Sequence, residues 1–367
     1  MNIQKENHIL SEDMVYIYNH LSENERLKFK DSTILITGCG GFLGYYFMHF
    51  FNAMGDKLGI KKVIGLENFL TGTRDWLDNI TRHNPKIEIH QFNVITDDLN
   101  SIPEASDVNL IIHGASIASP TFYRIYPLET VDANITGLRR LLDYYSKRDI
   151  KGLLFFSSSE IYGDPFPEFI PTKEDYRGNV ATMGPRACYD EAKRFGETLC
   201  YIFNQKFNLP IGIARPFNNY GPGMNINDKR LPADFAKCVH ENLDMIMFSD
   251  GKPTRTFCYI SDAITGYLKV LTYGKLDVFN IGIDKPEVSV REFAELFAKN
   301  ARKIYGYEVK VVFQVSDDSE YMTDNPNRRC PDISKAKNIL GYNPSIYVDE
   351  GISRFLQFIN IYKGELL

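Results

Sequence analysis

The sequence predicts an α/β fold, a parallel sheet with helices on both faces, and three observations predict it. Short apolar runs alternate with helical patterns from about residue 33 to 215. A glycine-rich turn, Gly38-Cys-Gly-Gly-Phe-Leu-Gly44, joins the first run to a long helical stretch. A serine-rich segment closes the fifth run, and Tyr189 and Lys193 follow it at helical spacing. Strands that alternate with helices connect by crossovers, which cover both faces of a parallel sheet.

Residues 1–30 read as an N-terminal helical extension. Ser11-Glu-Asp gives a start signal, and Met14, Val15, Ile17, Tyr18 and Leu21 form an apolar stripe. Such a helix packs on the main body or on a partner subunit and carries no catalytic groups. Thr33–Thr37 is the first strand, followed by the glycine turn and the helical Phe42–Met54. Val63–Leu66, Ile87–Phe92, Asn109–His113 and Gly152–Ser157 are the next four strands, with a helical pattern at Val131–Lys147 before the last of them. A helix at Ala187–Asn204 and a sixth strand at Ile211–Arg215 complete a first domain of residues 31–215. Beyond it Asn218-Asn-Tyr-Gly-Pro-Gly223 is loop, Phe279–Gly282 a strand and Val290–Lys303 an amphipathic helix. Residues 216–367 therefore read as a smaller substrate-facing lobe, with some crossing back to the first.

Gly38, Gly41 and Gly44 stand at a strand-to-helix junction, where a dinucleotide sets its pyrophosphate against the helix N-terminus. The spacing is GxxGxxG, one residue off the usual doubly wound, Rossmann-type fingerprint. Glu67 ends the second strand, where an acid accepts from ribose hydroxyls and repels a 2′-phosphate, favouring NAD over NADP. Ser157-Ser-Ser-Glu160 lies at the carboxyl end of the fifth strand, the edge where open α/β sheets bind ligands. Tyr189 and Lys193 share a helix face, so the ammonium can lower the phenol pKa from about 10 and make it a general base. Arg255 is a candidate anchor for a carboxylate or phosphate.

At 367 residues, 44% apolar and 24% charged, the composition is that of a soluble globular protein of one large or two associated domains. A net charge of −5 argues against nucleic acid as a partner. The six cysteines show neither disulfide nor zinc spacing, which points to a reducing cytoplasm and no metal. The polar first thirty residues hold no signal peptide, and no apolar run is long enough for a membrane span.

These residues together resemble the extended short-chain dehydrogenase/reductase family, the nucleotide-sugar epimerases, dehydratases and decarboxylases, over roughly residues 32–358. The segments Gly184-Pro-Arg-Ala-Cys-Tyr-Asp-Glu-Ala-Lys-Arg194, Ser159-Glu-Ile-Tyr-Gly-Asp-Pro165, Glu67-Asn-Phe-Leu-Thr-Gly72, Met224-Asn-Ile-Asn-Asp228, Arg329-Cys-Pro-Asp-Ile-Ser-Lys-Ala-Lys337 and Leu340-Gly-Tyr-Asn-Pro344 look most like the branch that decarboxylates UDP-glucuronate. The resemblance implies that Tyr189 takes the sugar 4-hydroxyl proton, with Lys193 its partner and a ribose ligand. Ser158, with Ser159 beside it, matches the catalytic Ser/Thr, Glu160 the active-site glutamate, and Arg255 the arginine near the sugar carboxylate. Tyr123, Asn218, Arg230, Arg328 and Arg329 fall on substrate positions. Gly38, Gly41, Phe42, Leu43, Gly44, Glu67, Asn68, Phe69, Thr71, Gly72, Asn93, Val94, Ala115, Ser116 and Asn134 fall on NAD-contact positions. A homodimer built through Val131–Lys147 and Ala187–Asn204 is also implied.

The implied reaction is a closed redox cycle: C4 oxidation to a ketone, loss of CO₂ from the resulting β-keto acid, and reduction at C4. Glu160 is the candidate for acid/base work. A 4-epimerase needs only Tyr, Lys, Ser and NAD and stays open. A 4,6-dehydratase lacks an Asp where Ser159 stands, and a non-catalytic binder of NAD or a nucleotide sugar would keep the fold without the chemistry. Four positions depart from the family pattern. Glu67 stands for the ribose-binding Asp, Asn93 for the adenine-contacting Asp, Tyr45 for a small serine after the third glycine, and Gly223 for an arginine after Gly-Pro. Tyr45 is expected to crowd the pyrophosphate region, and Gly223 to loosen the sugar site.

Overall fold

In the computed structural model, residues 8–247, 250–314 and 326–362 are described. The first seven residues of the expected N-terminal extension and residues 248–249, 315–325 and 363–367 of the expected lobe lie outside them. A seven-stranded sheet is built from β1 (Thr33–Thr37), β2 (Lys62–Glu67), β3 (Ile87–Gln91), β4 (Leu110–His113), β5 (Gly152–Phe156), β6 (Ile211–Pro216) and β7 (Asp277–Ile281). The strands run parallel in the order β7-β6-β5-β4-β1-β2-β3. Every residue of β1, β4 and β5 is buried, which explains their unbroken apolar sequences: both faces are covered by helices.

The chain winds outward from β1 through β2 to β3, then returns to place β4 on the other side of β1. That reversal opens a crevice at the carboxyl ends of β1 and β4. The helix Phe42–Leu58 starts there and stops at Gly59, whose φ of +67° is the left-handed turn that ends many helices. The Val131–Lys147 pattern becomes Pro127–Asp132, a wide π-type turn at Ala133–Gly137, and Leu138–Tyr145.

The expected strand at Phe279–Gly282 is β7, the outer strand of the central sheet, with Phe279 opposite Ala214 of β6. A periodic run reveals a strand but not which sheet it joins. The preceding helix Ile260–Tyr273 settles that, being buried almost all round against the sheet. The N-terminal helix His8–His20 packs on the main body through polar bonds as well as its stripe. Buried Asp13 accepts from Tyr46 (2.8 Å), Tyr259 (2.7 Å) and Arg354 (3.2 Å). Tyr16 donates to Asp262 at 2.6 Å.

Candidate active site

A cavity of about 1180 Å³ opens along the carboxyl ends of the central strands. On its β1 side Gly38 adopts φ +70°, and a Cβ there would lie 2.8 Å from the Ala115 backbone. A Cβ on Gly44 would lie 2.3 Å from the Cys39 carbonyl oxygen, so this turn admits only glycine at both positions. Gly41 caps the following helix without a side-chain hydrogen bond, and Gly41, Phe42, Leu43 and Gly44 line the cavity. First-turn N–H groups without a side-chain acceptor make an anion site.

Glu67 forms part of the same wall. Its Oε2 accepts from Gly40 N (2.9 Å), and its Oε1 from Asn68 N (3.0 Å) and Phe69 N (3.2 Å). Burial pushes its pKa up against those bonds. A carboxylate has about four acceptor positions, so one remains for a ribose hydroxyl. A Cβ on Gly40 or Gly72 would come within 3.0 Å of the Glu67 side chain; these glycines make room for the longer acid.

Asn68, Phe69, Thr71, Gly72, Asn93, Val94, Ala115 and Ser116 also line the cavity. The Asn93 side chain turns back to accept from Ile95 N at 3.0 Å. The Ser116 hydroxyl is buried without a partner among the described residues, a group that a bound molecule would satisfy. These features fit a dinucleotide. Asn134 differs from expectation: it is not in the cavity wall, and its amide donates to Thr130 O at 2.7 Å.

Ser158, Tyr189 and Lys193 converge on the cavity from β5 and the helix Ala187–Phe207. The Lys193 ammonium lies 5.5 Å from the centre of the Tyr189 ring and donates to Phe156 O at 2.7 Å. The expected tuning of Tyr189 by Lys193 is not what sets the phenol here. Burial raises it to about 12, against a hydrogen bond from Ser158 and the charge of Arg230, while Glu160 and Asp190 add to the rise. Lys193 is itself stripped of water, which brings it down to about 7 and weakens it as a permanent cation.

Beyond Tyr189 lies a cluster of arginines. The two-residue strands Thr254–Arg255 and Arg328–Arg329 pair in parallel, which sets Arg255 directly beside Arg329. Arg329 grips Glu160 with two bonds of 2.6 Å, and Arg186 adds a third of 2.6 Å. Burial alone would raise Glu160, but Arg186 and Arg329 hold it at about 2. Glu160 therefore carries no proton to exchange near neutrality, unlike the acid/base role expected of it; it gathers guanidinium groups. Arg255 donates to the carbonyls of Thr254 (2.7 Å), Asn327 (3.2 Å) and Pro326, and burial followed by repulsion from Arg329 lowers it to about 9. Arg328, expected to touch substrate, points outward, makes two 2.8 Å bonds to Glu287 and is absent from the wall. Neighbouring residues in a strand face opposite ways, and the cavity side belongs to Arg329.

Tyr123 stacks on Tyr189, and its buried hydroxyl has no partner among the described residues. Asn218 (φ +41°) donates to Thr256 O at 2.9 Å, and Arg230 is held by Asp228, with Nη2 3.0 Å from Oδ2. Neither Arg186 nor Asp228 stands out in the sequence as a site residue. Arg186 stands one helical turn before Tyr189 and four residues before Asp190, a spacing that marks the same helix face. No group of three metal-ligating side chains occurs among the described residues, nor any helix long and apolar enough to cross a membrane.

Residues 34–282 match the model of the "NAD dependent epimerase/dehydratase family". The chain is 35% identical over 322 residues to UDP-glucuronic acid decarboxylase 6 of Arabidopsis thaliana, covering 87% of this chain and 86% of that protein. It is 34% identical to UDP-glucuronic acid decarboxylase 1 of Xenopus tropicalis, covering 92% and 73%. Among solved structures, the UDP-glucuronic acid 4-epimerase of Bacillus cereus with UDP-glucuronic acid and NAD superposes with a TM-score of 0.72 at 25% identity, covering 89% of this chain and 99% of that one. The UDP-glucose 4-epimerase of Thermotoga maritima gives 0.76 at 23% identity, covering 89% and 98%, and shares the fold.

Proposed function

The chain belongs to the NAD dependent epimerase/dehydratase family, and from that premise we propose that it decarboxylates UDP-glucuronate, using NAD as a resident hydride carrier. It is an NAD-dependent nucleotide-sugar-modifying enzyme. The observation that carries the finer reading is the arginine cluster. Arg186, Arg255 and Arg329 gather at a buried end of the cavity wall beside Tyr189, with Glu160 binding two of them. Planar guanidinium groups clustered beside the reacting tyrosine suit the carboxylate of a hexuronate better than a neutral sugar.

Tyr189 takes the C4 hydroxyl proton, oriented by Ser158. NAD, when bound, would supply the hydride acceptor and donor for C4. Gly38, Gly41 and Gly44 would hold its pyrophosphate, Glu67 a ribose hydroxyl, and Lys193 the nicotinamide ribose. The C4 ketone turns the C5 carboxylate into a β-keto acid; CO₂ leaves as the C5–C6 electrons move into the enolate, C5 takes a proton from solvent, and Tyr189 returns its proton to the C4 oxygen as the ketone is reduced. Glu160 holds Arg186 and Arg329 in place for the carboxylate. Residues 216–367 would serve as the lobe that takes the nucleotide sugar, through Asn218, Arg230, Arg255 and Arg329.

A second reading is 4-epimerisation of the same uronate. The likeness to the Bacillus cereus enzyme favours it, and the arginine cluster serves a uronate in either case. Dehydration is disfavoured because Glu160 has no proton for a leaving hydroxyl. Exposed Phe195, Tyr201 and Ile202 on the Ala187–Phe207 helix support a homodimer through that helix, and six unpaired thiols support a cytoplasmic setting.

The test is incubation with NAD⁺ and UDP-glucuronate, with products followed by NMR. CO₂ and UDP-xylose are expected. UDP-galacturonate would replace the reading with epimerisation, and no turnover across a panel of nucleotide sugars would replace it with binding alone.

A further inference from the structure

Tyr45 and Gly223, two departures from the family pattern, touch each other. A Cβ on Gly223 would lie 2.4 Å from Tyr45 Cδ1 and 2.8 Å from its Cγ, and Gly223 also adopts φ +78°. The Tyr45 ring, expected to crowd the phosphate turn, lies in the cavity wall and packs into an aromatic cluster. It is walled in by His49 (4.3 Å), Trp76 (4.9 Å) and Phe358 (6.3 Å). Three residues earlier on the same helix face, the Phe42 ring lies 5.7 Å below the Arg230 guanidinium. The loop from Gly221 to Arg230 thus sits on the first turn of the helix that opens at the glycine turn. From the other side Ser119 Oγ donates to Asp228 O at 2.7 Å, and Asp228 holds Arg230.

The seat matters because of where Arg230 stands. The groups acting on the Tyr189 phenol are the Ser158 hydroxyl, Glu160, Asp190 and Arg230, with Tyr123 stacked on the ring and the Lys193 ammonium 5.5 Å from its centre. Of the charges that act most on the phenol, Arg230 favours its ionised form, while Glu160 and Asp190 oppose it. We infer that Tyr45 is a positioning residue: it seats the Gly221–Arg230 loop on the helix of the glycine turn and so sets where Arg230 stands relative to Tyr189. This rests on the proposed role of Tyr189 as the base, while the seat itself can be measured without turnover.

The test compares Tyr45→Ala, Tyr45→Phe, Gly223→Ala and the double variant Tyr45→Ala/Gly223→Ala, each purified with its bound NAD. UDP affinity is read by calorimetry, NAD content by absorbance, and the pH profile with whichever nucleotide sugar is turned over. Tyr45→Ala is expected to weaken UDP and raise KM by about tenfold, with NAD content retained. The pH at which kcat reaches half its maximum should move upward, because the phenol loses its favourable neighbour. Tyr45→Phe, which keeps the ring, should recover most of the loss. Gly223→Ala should reproduce the defect in the parent and cost much less in the Tyr45→Ala background, where the ring is gone and only the φ penalty persists. UDP affinity and pH profile within about twofold of the parent in Tyr45→Ala would overturn the inference. So would an equal loss from Gly223→Ala in both backgrounds, or loss of NAD together with UDP. The UDP measurement stands whether or not UDP-glucuronate is the substrate.

Discussion

The rings of Tyr123 and Tyr189 lie stacked, their centres 5.2 Å apart and their planes 13° from parallel. The stacking fixes the reactive phenol, and the Tyr123 hydroxyl beside it is buried without a partner among the described residues. A buried orphan donor next to a reacting group belongs to the ligand. Tyr123→Phe should keep the stack and lose one hydrogen bond to the sugar, raising KM about tenfold. Tyr123→Leu should also lower kcat, because Tyr189 loses its support. Steady-state kinetics of both variants check this; an unaltered KM in Tyr123→Phe would leave the hydroxyl without a role.

Lys193 should cost stability where it serves chemistry. Its folded pKa of about 7 lies below the value near 10.5 in the unfolded chain. Between those values the unfolded chain holds more protons, so stability rises with pH across that window, and the buried ammonium weighs most below pH 7. Lys193→Met should therefore be more stable than the parent, on the order of 2–4 kcal/mol at pH 6 and less at pH 9, with kcat down at least about a hundredfold. Urea unfolding at the two pH values gives the answer. Equal differences at both would mean that the lysine is not neutralised by burial.

Glu160 holds Arg186 and Arg329 by three bonds of 2.6 Å. Glu160→Gln would leave Arg186, Arg255 and Arg329 mutually repelling in a buried cluster, and breaking such a pair costs roughly 3–5 kcal/mol. Thermal melting should show that drop, with partial recovery on adding UDP-glucuronate. Because the carboxyl sits at about 2, the parent should show no activity limb from Glu160 above about pH 4. A limb near pH 5 that vanishes in Glu160→Gln would restore the acid/base role.

Arg255 gives up its donors to three backbone carbonyls, so its charge is aimed by the fold before any ligand arrives. Arg255→Ala should raise KM for UDP-glucuronate about a hundredfold, but for binding of neutral UDP-glucose only slightly, since a charge-assisted bond is worth about 1.5–3 kcal/mol. Competition binding of the two sugars distinguishes this from general damage, which would weaken both alike.

The local signals in the chain carried the sheet and the cofactor wall, because each rests on neighbours in sequence: apolar runs for β1 to β6, glycines at the helix start, Glu67 at a strand end. What escaped depends on residues far apart. The seat of β7 beside β6 is set by the buried helix Ile260–Tyr273, and the choice of Arg329 over Arg328 is set by strand register. The acid/base expectation for Glu160 meets the same difficulty: its state is set by Arg186 and Arg329, 26 and 169 residues away. Tyr45 and Gly223 were visible as two separate oddities; only their contact makes them one feature.

Asp13 should give the N-terminal helix a pH-dependent grip. Its carboxyl is fully buried, and burial raises it to about 7 despite bonds from Tyr259 and Tyr46 and the charge of Arg354, with Glu12 adding to the rise. In the unfolded chain it titrates near 3.8. Between about pH 4 and 7 the folded protein binds more protons, so the slope of stability against pH is negative there. The contribution is fully present below the unfolded value and lost as pH rises through the folded one. Other carboxyls titrate in the same window, Asp234 among them at about 6, so the parent curve alone does not isolate Asp13. Asp13→Asn does: it keeps a carbonyl oxygen for the tyrosine hydroxyls and removes the charge. Urea midpoints of both proteins, taken from pH 4.5 to 8, should diverge steadily in favour of the variant as pH rises. Parallel curves would mean that Arg354 holds Asp13 ionised throughout, and that the latch does not respond to pH.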